Sequence, residues 1–339
     1  MKISILTKAE YRSPRILGES LKEQLKEAGI HAEIFFEINV LTRHVNYRNS
    51  KLSFHFWLGE KIKHYYRDRK ILRALQGFDA IVISECIPNG YCKDLYNIEK
   101  LKCLLKKPVF IYEVYSLENA PTQKNSLKKN NGDLYEKYDG HLSVSTVTEI
   151  RNIKQPNIFC IGLFAKTWNL HPLPKKELIA LIDFAQPGFE KYREIQIDFL
   201  KKAGVSYISL EKEYSVNDIR DIYRTASIYF MQSYEAFGLP ILECLCTGAQ
   251  IFTPDSAWPM SWRLNDKPEV HGKGLLPDCF TIYNENNLLE KLLSFKEKYD
   301  TVSTPLSVFN IFIKHYPDFY GGNRSELNRF VDYISTRSS

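Results

Sequence analysis

Short apolar runs bounded by turn residues alternate along the chain with longer segments of helical period. That alternation predicts parallel sheets with helices on their faces. In the amino-terminal half, strands are predicted at 2–7, 31–36, 78–84, 108–114 and 142–145. A helix starts at Ser13, a capping residue, takes Pro14 in its first turn and stops at Gly29. A second helical stretch covers 93–106, and the segment 121–139 is polar, rich in Asn and Lys, and reads as loop. The pattern restarts near Asn157, with strands predicted at 158–161, 178–183 and 205–209 and a helix at 190–203 stopped by Gly204. Ser215 and Asp218 form a capping pair, with Asp in place of the usual Glu or Gln, for a helix reaching Thr225. Two such runs without a detectable internal repeat predict two α/β units, 1–155 and 156–319.

The densest stretch of chemistry follows the apolar run Ile228-Tyr-Phe-Met231. It reads Ser233-Tyr-Glu-Ala-Phe-Gly-Leu-Pro-Ile-Leu-Glu243. Gly238 permits a turn that a side chain would forbid, and Pro240 suits the first turn of a helix, where its missing N–H costs nothing. The helix continues through Cys244 to Thr247 and stops at Gly248. The free amides at such a helix start, backed by the helix dipole, suit an anion such as a diphosphate. Glu243, one turn into the helix, is poorly placed beside an anion unless it serves neutral hydroxyls, and a ribose diol is the natural candidate. The same two acids also read as ordinary groups: Glu235 as a solvated loop carboxylate, Glu243 as a first-turn acid stabilised by the dipole.

The strand, turn, helix and following strand (Gln250-Ile-Phe-Thr253) together resemble the carboxyl-terminal half of retaining GT-B glycosyltransferases of the family-4-like group, with their Glu-x7-Glu signature. The match is dense over roughly thirty residues and loose elsewhere in the span from about Ser206 to Asn287. The resemblance implies a GT-B fold: two Rossmann-like lobes with parallel sheets facing a central cleft. The first lobe (1–155) would bind acceptor and the second (156–319) a nucleotide-sugar donor, with a final helix within 320–339 crossing back to the first lobe. It implies a sugar transfer with retained configuration, the leaving phosphate taking the acceptor proton. By the same resemblance Glu235 contacts the donor sugar and is the catalytic candidate, Glu243 holds the ribose hydroxyls, and the amides of Phe237, Gly238 and Leu239 meet sugar or diphosphate. Tyr214, after the strand 205–209, lies where such enzymes contact the base.

Stabilising a leaving diphosphate requires cations or oriented amides. No Asp-x-Asp occurs in the chain, so no metal or other cofactor is expected. The family's Arg and Lys pair after the first strand of the second lobe is replaced by Ala185-Gln-Pro-Gly-Phe-Glu-Lys-Tyr-Arg193. Lys191 and Arg193 are the nearest cations, and read equally as a diphosphate clamp or as surface residues of the helix that starts there. The first lobe lacks the family's paired glycines, and Lys8, Tyr11, Arg12 and Arg15 are its candidates for acceptor or diphosphate contact.

Composition bounds the partners. The 339 residues are 44% hydrophobic and 25% charged, as in soluble globular proteins, and no window is long and apolar enough for a membrane span. Seven irregularly spaced cysteines do not make a disulfide framework, which points to the cytoplasm. The net charge of +6 is uneven: residues 1–155 hold 26 Lys and Arg against 18 Asp and Glu, and residues 156–339 hold 20 against 22. Lys51, Lys61, Lys63, Arg67, Arg69 and Lys70 are interleaved with Phe54, Phe56, Trp57, Tyr65 and Tyr66. A basic aromatic segment of that kind suits peripheral contact with an anionic membrane face, or equally a solvated helix whose aromatics cover the lobe. No nucleic-acid-binding motif is present. The expected partners are therefore a nucleotide-sugar donor and a glycan or lipid-linked acceptor, in surface polysaccharide synthesis. The alternative is a non-catalytic GT-B scaffold that binds a glycan or a partner transferase.

Overall fold

The first strand, β1 (Lys2–Leu6), buries every side chain after Lys2, as a strand covered on both faces must. The computed structural model describes residues 1–7, 13–36, 72–85, 96–114, 137–145, 157–185, 187–231, 237–254, 260–264 and 275–338, together with positions 59, 66, 69 and 70. The chain divides into two units, residues 1–161 with 323–339 and residues 162–322.

In the first unit β1 is followed by helix α1 (Ser13–Glu27), β2 (His31–Phe35), β3 (Ala80–Glu85), helix α2 (Tyr96–Leu105), β4 (Val109–Glu113), β5 (Gly140–Ser143) and β6 (Ile158–Cys160). The six strands form one parallel sheet in the order β2-β1-β3-β4-β5-β6. Leu17, Leu21 and Leu25 recur at helical spacing and give α1 a buried face, and Gly18 on it sits close to Ile5 and Thr7 of the sheet. The chain leaves α1 through Gly29, whose φ of 76° a side chain would resist. On the other face Ile98, Leu101 and Leu105 of α2 join Leu6, Ile81, Ile83, Val109 and Ile111 in one apolar cluster. His141 of β5 is fully buried, 3.4 Å from the carboxylate of Glu113.

The second unit holds β7 (Ile179–Ile182), α3 (Glu190–Ala203), β8 (Ser206–Ser209), α4 (Val216–Thr225), β9 (Ile228–Phe230), α5 (Leu239–Cys246), β10 (Gln250–Pro254), β11 (Phe280–Tyr283), α6 (Leu288–Lys298), α7 (Ser303–His315) and the short α8 (Pro317–Gly321). Its parallel sheet runs β11-β10-β9-β7-β8. Leu200 and Ala203 of α3 and Leu288 and Leu292 of α6 pack on Ala180, Ile182, Ile228, Phe230 and Phe252. Local signals set the element ends. Gly204 closes α3 in the left-handed conformation at φ 60°, and Ser215 caps α4 by accepting a hydrogen bond from the Asp218 amide while donating to its carboxylate.

The last helix, α9 (Arg324–Ser338), belongs to the first unit. Phe330 meets Phe110 and Phe159 edge-on at 5.0 and 5.5 Å, and Asn157 donates to the Tyr333 hydroxyl at 2.7 Å. One expectation changes here. The strand predicted at 158–161 to open the second unit is β6, which pairs with β5 and closes the first sheet, moving the boundary from 155/156 to 161/162. Apolar periodicity marks a strand as buried but carries no sign of which sheet it joins. The final helix expected within 320–339 starts at Arg324, after Gly322 at φ 73° has ended α8.

Both sheets have the doubly wound order in which the first strand of a unit lies between its second and third. The order of the chain reverses between β7 and β9 in the second unit and between β1 and β3 in the first. Ligands in such sheets bind beyond the carboxyl ends of the strands at that reversal.

Candidate functional site

At the reversal point of the second unit, β9 leads toward the turn that enters α5. Gly238, at φ 69° and ψ 101°, is the residue before the helix and contributes no side-chain cap. Its carbonyl accepts from the amides of Ile241 and Leu242 at 3.1 and 3.3 Å. Among the described residues the amides of Gly238 and Leu239 have no acceptor. The turn is anchored from behind. The Phe237 ring is buried, stacked on Trp262 at 5.3 Å and edge-on to Phe319 at 5.0 Å. Trp262 Nε1 donates to the Phe237 carbonyl at 2.5 Å, and the Tyr316 hydroxyl donates in turn to the Trp262 carbonyl. The side chain and carbonyl of Phe237 are thus committed to the core.

Glu243 lies one turn into α5 and is 7% exposed. Its Oε1 accepts from Arg220 of α4, with Nε and Nη2 each 2.8 Å away. The Arg220 guanidinium carbon stands 5.3 Å over the Trp168 ring. Burial raises the Glu243 pKa above the ordinary carboxylate range, and the charge and hydrogen bond of Arg220 act against that rise. Thr247, at the end of α5, donates to the carbonyl of Tyr223 at 2.9 Å, which fixes α5 against α4.

Asp183 directly follows β7, the strand beside β9. It is buried, accepts from the Phe184 amide at 2.8 Å, and its pKa is raised by burial against the pull of a hydrogen bond with the Tyr229 side chain. Tyr214 is half-buried, 6.1 Å from the Phe184 ring, so its aromatic face lies near the carboxyl end of β7.

The two cations expected to clamp a diphosphate have other partners. Arg193 is buried: it donates to the Asp183 carbonyl at 2.7 Å, to the Leu210 carbonyl at 3.4 Å, and to the side chains of Ser209 and Glu211. Those bonds tie the end of β7 to the end of β8, because position 193 falls on the inward face of α3. Lys191 is exposed and pairs with Glu285 at 3.1 Å. In the first unit Arg15 pairs with Glu19 at 2.8 Å and lies 5.0 Å over the Phe36 ring. Glu235, Lys8, Tyr11 and Arg12, and most of the basic aromatic segment 43–73, lie outside the described residues.

Arg220, Asp183 and Trp262 are the residues that sequence reasoning missed. Asp183 carries a weak signal, a carboxylate directly after the apolar run 178–182. Arg220 carries none, since its partner is 23 positions away on another helix.

No family model matches the chain, and no curated protein sequence matches it. Solved structures do resemble it. HepE from Anabaena, in complex with UDP and glucose, is 11% identical over 99% of this chain and 100% of that chain, with a TM-score of 0.55. An alpha-glucosyltransferase in complex with UDP is 11% identical over 99% and 100%, with a TM-score of 0.59. A Listeria monocytogenes protein provisionally named UDP-N-acetylglucosamine 2-epimerase is 11% identical over 99% and 96%, with a TM-score of 0.58. With the two doubly wound parallel sheets, this likeness defines the fold as GT-B.

Proposed function

We propose that the chain is a glycosyltransferase that transfers a sugar from a nucleotide-sugar donor, held in the second unit, to a glycan or lipid-linked acceptor. The observation that carries this reading is the turn at Gly238. It stands at the strand reversal with amides that have no acceptor among the described residues at a helix start, and a buried carboxylate one turn further on. Amides and helix dipole suit the diphosphate, and the carboxylate suits neutral hydroxyls. Neighbours of the same fold were solved with UDP bound, which makes uracil the first base to test. In this reading Glu243 receives the ribose hydroxyls, Glu235 the donor sugar, and Tyr214 flanks the base. The reaction is metal-independent and proceeds with retention by same-face attack, the leaving phosphate taking the acceptor proton. Synthesis of a surface polysaccharide, with the basic amino-terminal half turned to an anionic membrane face, is the setting that suits such an acceptor.

A second reading, a non-catalytic scaffold on the same fold, is favoured by one observation: neither Lys191 nor Arg193 is presented to a diphosphate. Thermal unfolding with UDP, GDP and their sugars, followed by nucleotide release in the presence of glycan and polyprenyl-linked acceptors, separates the two. A ligand bound only by the folded state raises the melting point. We expect a UDP-dependent rise that Glu243→Ala abolishes, and nucleotide release that Glu235→Ala abolishes while the rise persists. A rise without release under any acceptor supports the scaffold, and no rise with any nucleotide refutes the donor site.

A further inference from the structure

Arg220 Nε donates to Glu243 Oε1 at 2.8 Å, while Nη2 stands 2.8 Å from the same oxygen as an ion-pair contact without a hydrogen bond of its own. The second carboxylate oxygen has no partner among the described residues and is not among the buried unpaired atoms, so the residual exposure of Glu243 reaches it. The pair is otherwise sheltered, with side chains 11% and 9% exposed and the Trp168 ring against the guanidinium. A planar guanidinium over an indole face is held in orientation in a way a flexible ammonium is not.

We infer that Arg220 is the positioning residue of the donor site: it grips Glu243 by one carboxylate oxygen from α4 and so presents the other to a ribose hydroxyl of the nucleotide. This rests on the donor-site reading above and adds to it the residue on which Glu243 depends. An ionised carboxylate is the stronger acceptor for a hydroxyl, and burial pushes Glu243 toward its protonated form while the charge and hydrogen bond of Arg220 oppose that push. The groups around it are Arg220 and Tyr223 from α4 and Cys244 and Cys246 on its own helix. Tyr320 faces Cys246, and Asp183 and Lys175 act on Cys244. Burial raises the pKa of Tyr223, both thiols and Tyr320, so these are neutral near pH 7, and Arg220 is the cation that acts on Glu243 directly.

The test is UDP binding by titration calorimetry between pH 5.5 and 8 for the full-length wild type, Arg220→Met, Arg220→Lys, Glu243→Gln and the Arg220→Met/Glu243→Gln double variant. Losing the orienting partner should weaken UDP about tenfold at pH 7 in Arg220→Met. Its affinity should recover as pH rises, because the unpaired carboxyl then ionises later than in the wild type. Arg220→Lys keeps the charge and should restore part of the affinity, and it covers the case in which Arg220→Met does not fold. Glu243→Gln should bind weakly without a pH step, and adding Arg220→Met to it should cost little more, the non-additivity expected of one coupled unit. Wild-type affinity and pH profile in both Arg220 variants, or fully additive losses, would overturn the role of Arg220 while leaving the donor site standing. A wild type that binds no UDP, GDP or ADP overturns the donor site itself.

Discussion

At the residue scale, the second unit places several ionisable groups where water hardly reaches, and each one has a measurable consequence. Lys175 is the clearest. Its Nζ donates to the Arg224 carbonyl at 2.6 Å, and burial lowers its pKa from 10.5 to about 8. Below pH 8 the folded and unfolded chains both carry the proton, so Lys175 adds no pH dependence. Between about 8 and 10.5 the unfolded chain keeps a proton that the folded chain has lost. Stability therefore rises with pH in that window, by about 1.4 kcal/mol per unit. Lys175→Met should flatten this part of the stability curve in denaturant titrations run from pH 7 to 10.5. An unchanged slope would mean the amine is solvated in the folded chain. Arg193 gives the opposite lesson. A buried guanidinium whose donors are met by Asp183, Ser209, Leu210 and Glu211 holds strand ends together, whatever its proximity in sequence to a candidate anion site.

At the scale of elements, the turn at Gly238 is a backbone feature and needs support from outside its own helix. Helix α5 is eight residues long and has no side-chain cap, so its entry is set by Gly238 and by the anchoring of Phe237. Trp262 supplies that anchor through its indole N–H and its stacked ring. Trp262→Phe retains most of the aromatic packing and removes the hydrogen bond, leaving the buried Phe237 carbonyl unsatisfied. A stability loss of about 1–3 kcal/mol is expected. UDP affinity should fall as well, because the amides of Gly238 and Leu239 lose their fixed direction. Chemical denaturation and calorimetry on the same variant check both, and a stability loss with intact UDP binding would remove Trp262 from the site. The far end of α5 is equally constrained. Gly248 turns at φ 79°, and a Cβ there would stand 2.4 Å from the Pro305 carbonyl.

At the scale of the molecule, each unit is a doubly wound sheet with its own reversal point, and the first is completed only by the last helix of the chain. Phe330 of α9 is fully buried against Phe110 and Phe159, while Asp139 accepts the Val109 amide at 2.8 Å and pairs with Lys102 at 3.0 Å. Residues more than 160 positions from β6 thus finish its packing: the Cys160 amide donates to Glu326. Phe330→Ala should lower the stability of the first unit by about 3–5 kcal/mol, the usual cost of emptying a buried aromatic site. Urea unfolding followed by far-ultraviolet circular dichroism measures it, and a loss below about 1 kcal/mol would place α9 outside the core. None of the described helices is long and apolar enough to cross a membrane.

What the amino-acid order settled alone is what neighbouring residues settle among themselves. The stop of α3 at Gly204, the Ser215 cap of α4, the buried strands and the Gly238-Leu-Pro240 entry to α5 all follow from φ preferences, side-chain-to-backbone bonds and periodic burial within a few positions. Tertiary structure decided everything that depends on a distant partner. It assigned β6 to the first sheet, turned Arg193 inward, set Trp262 behind Phe237 and closed Arg220 onto Glu243. A strand looks the same in sequence whichever sheet receives it, and a charged side chain shows no sign of its partner until packing removes the water between them.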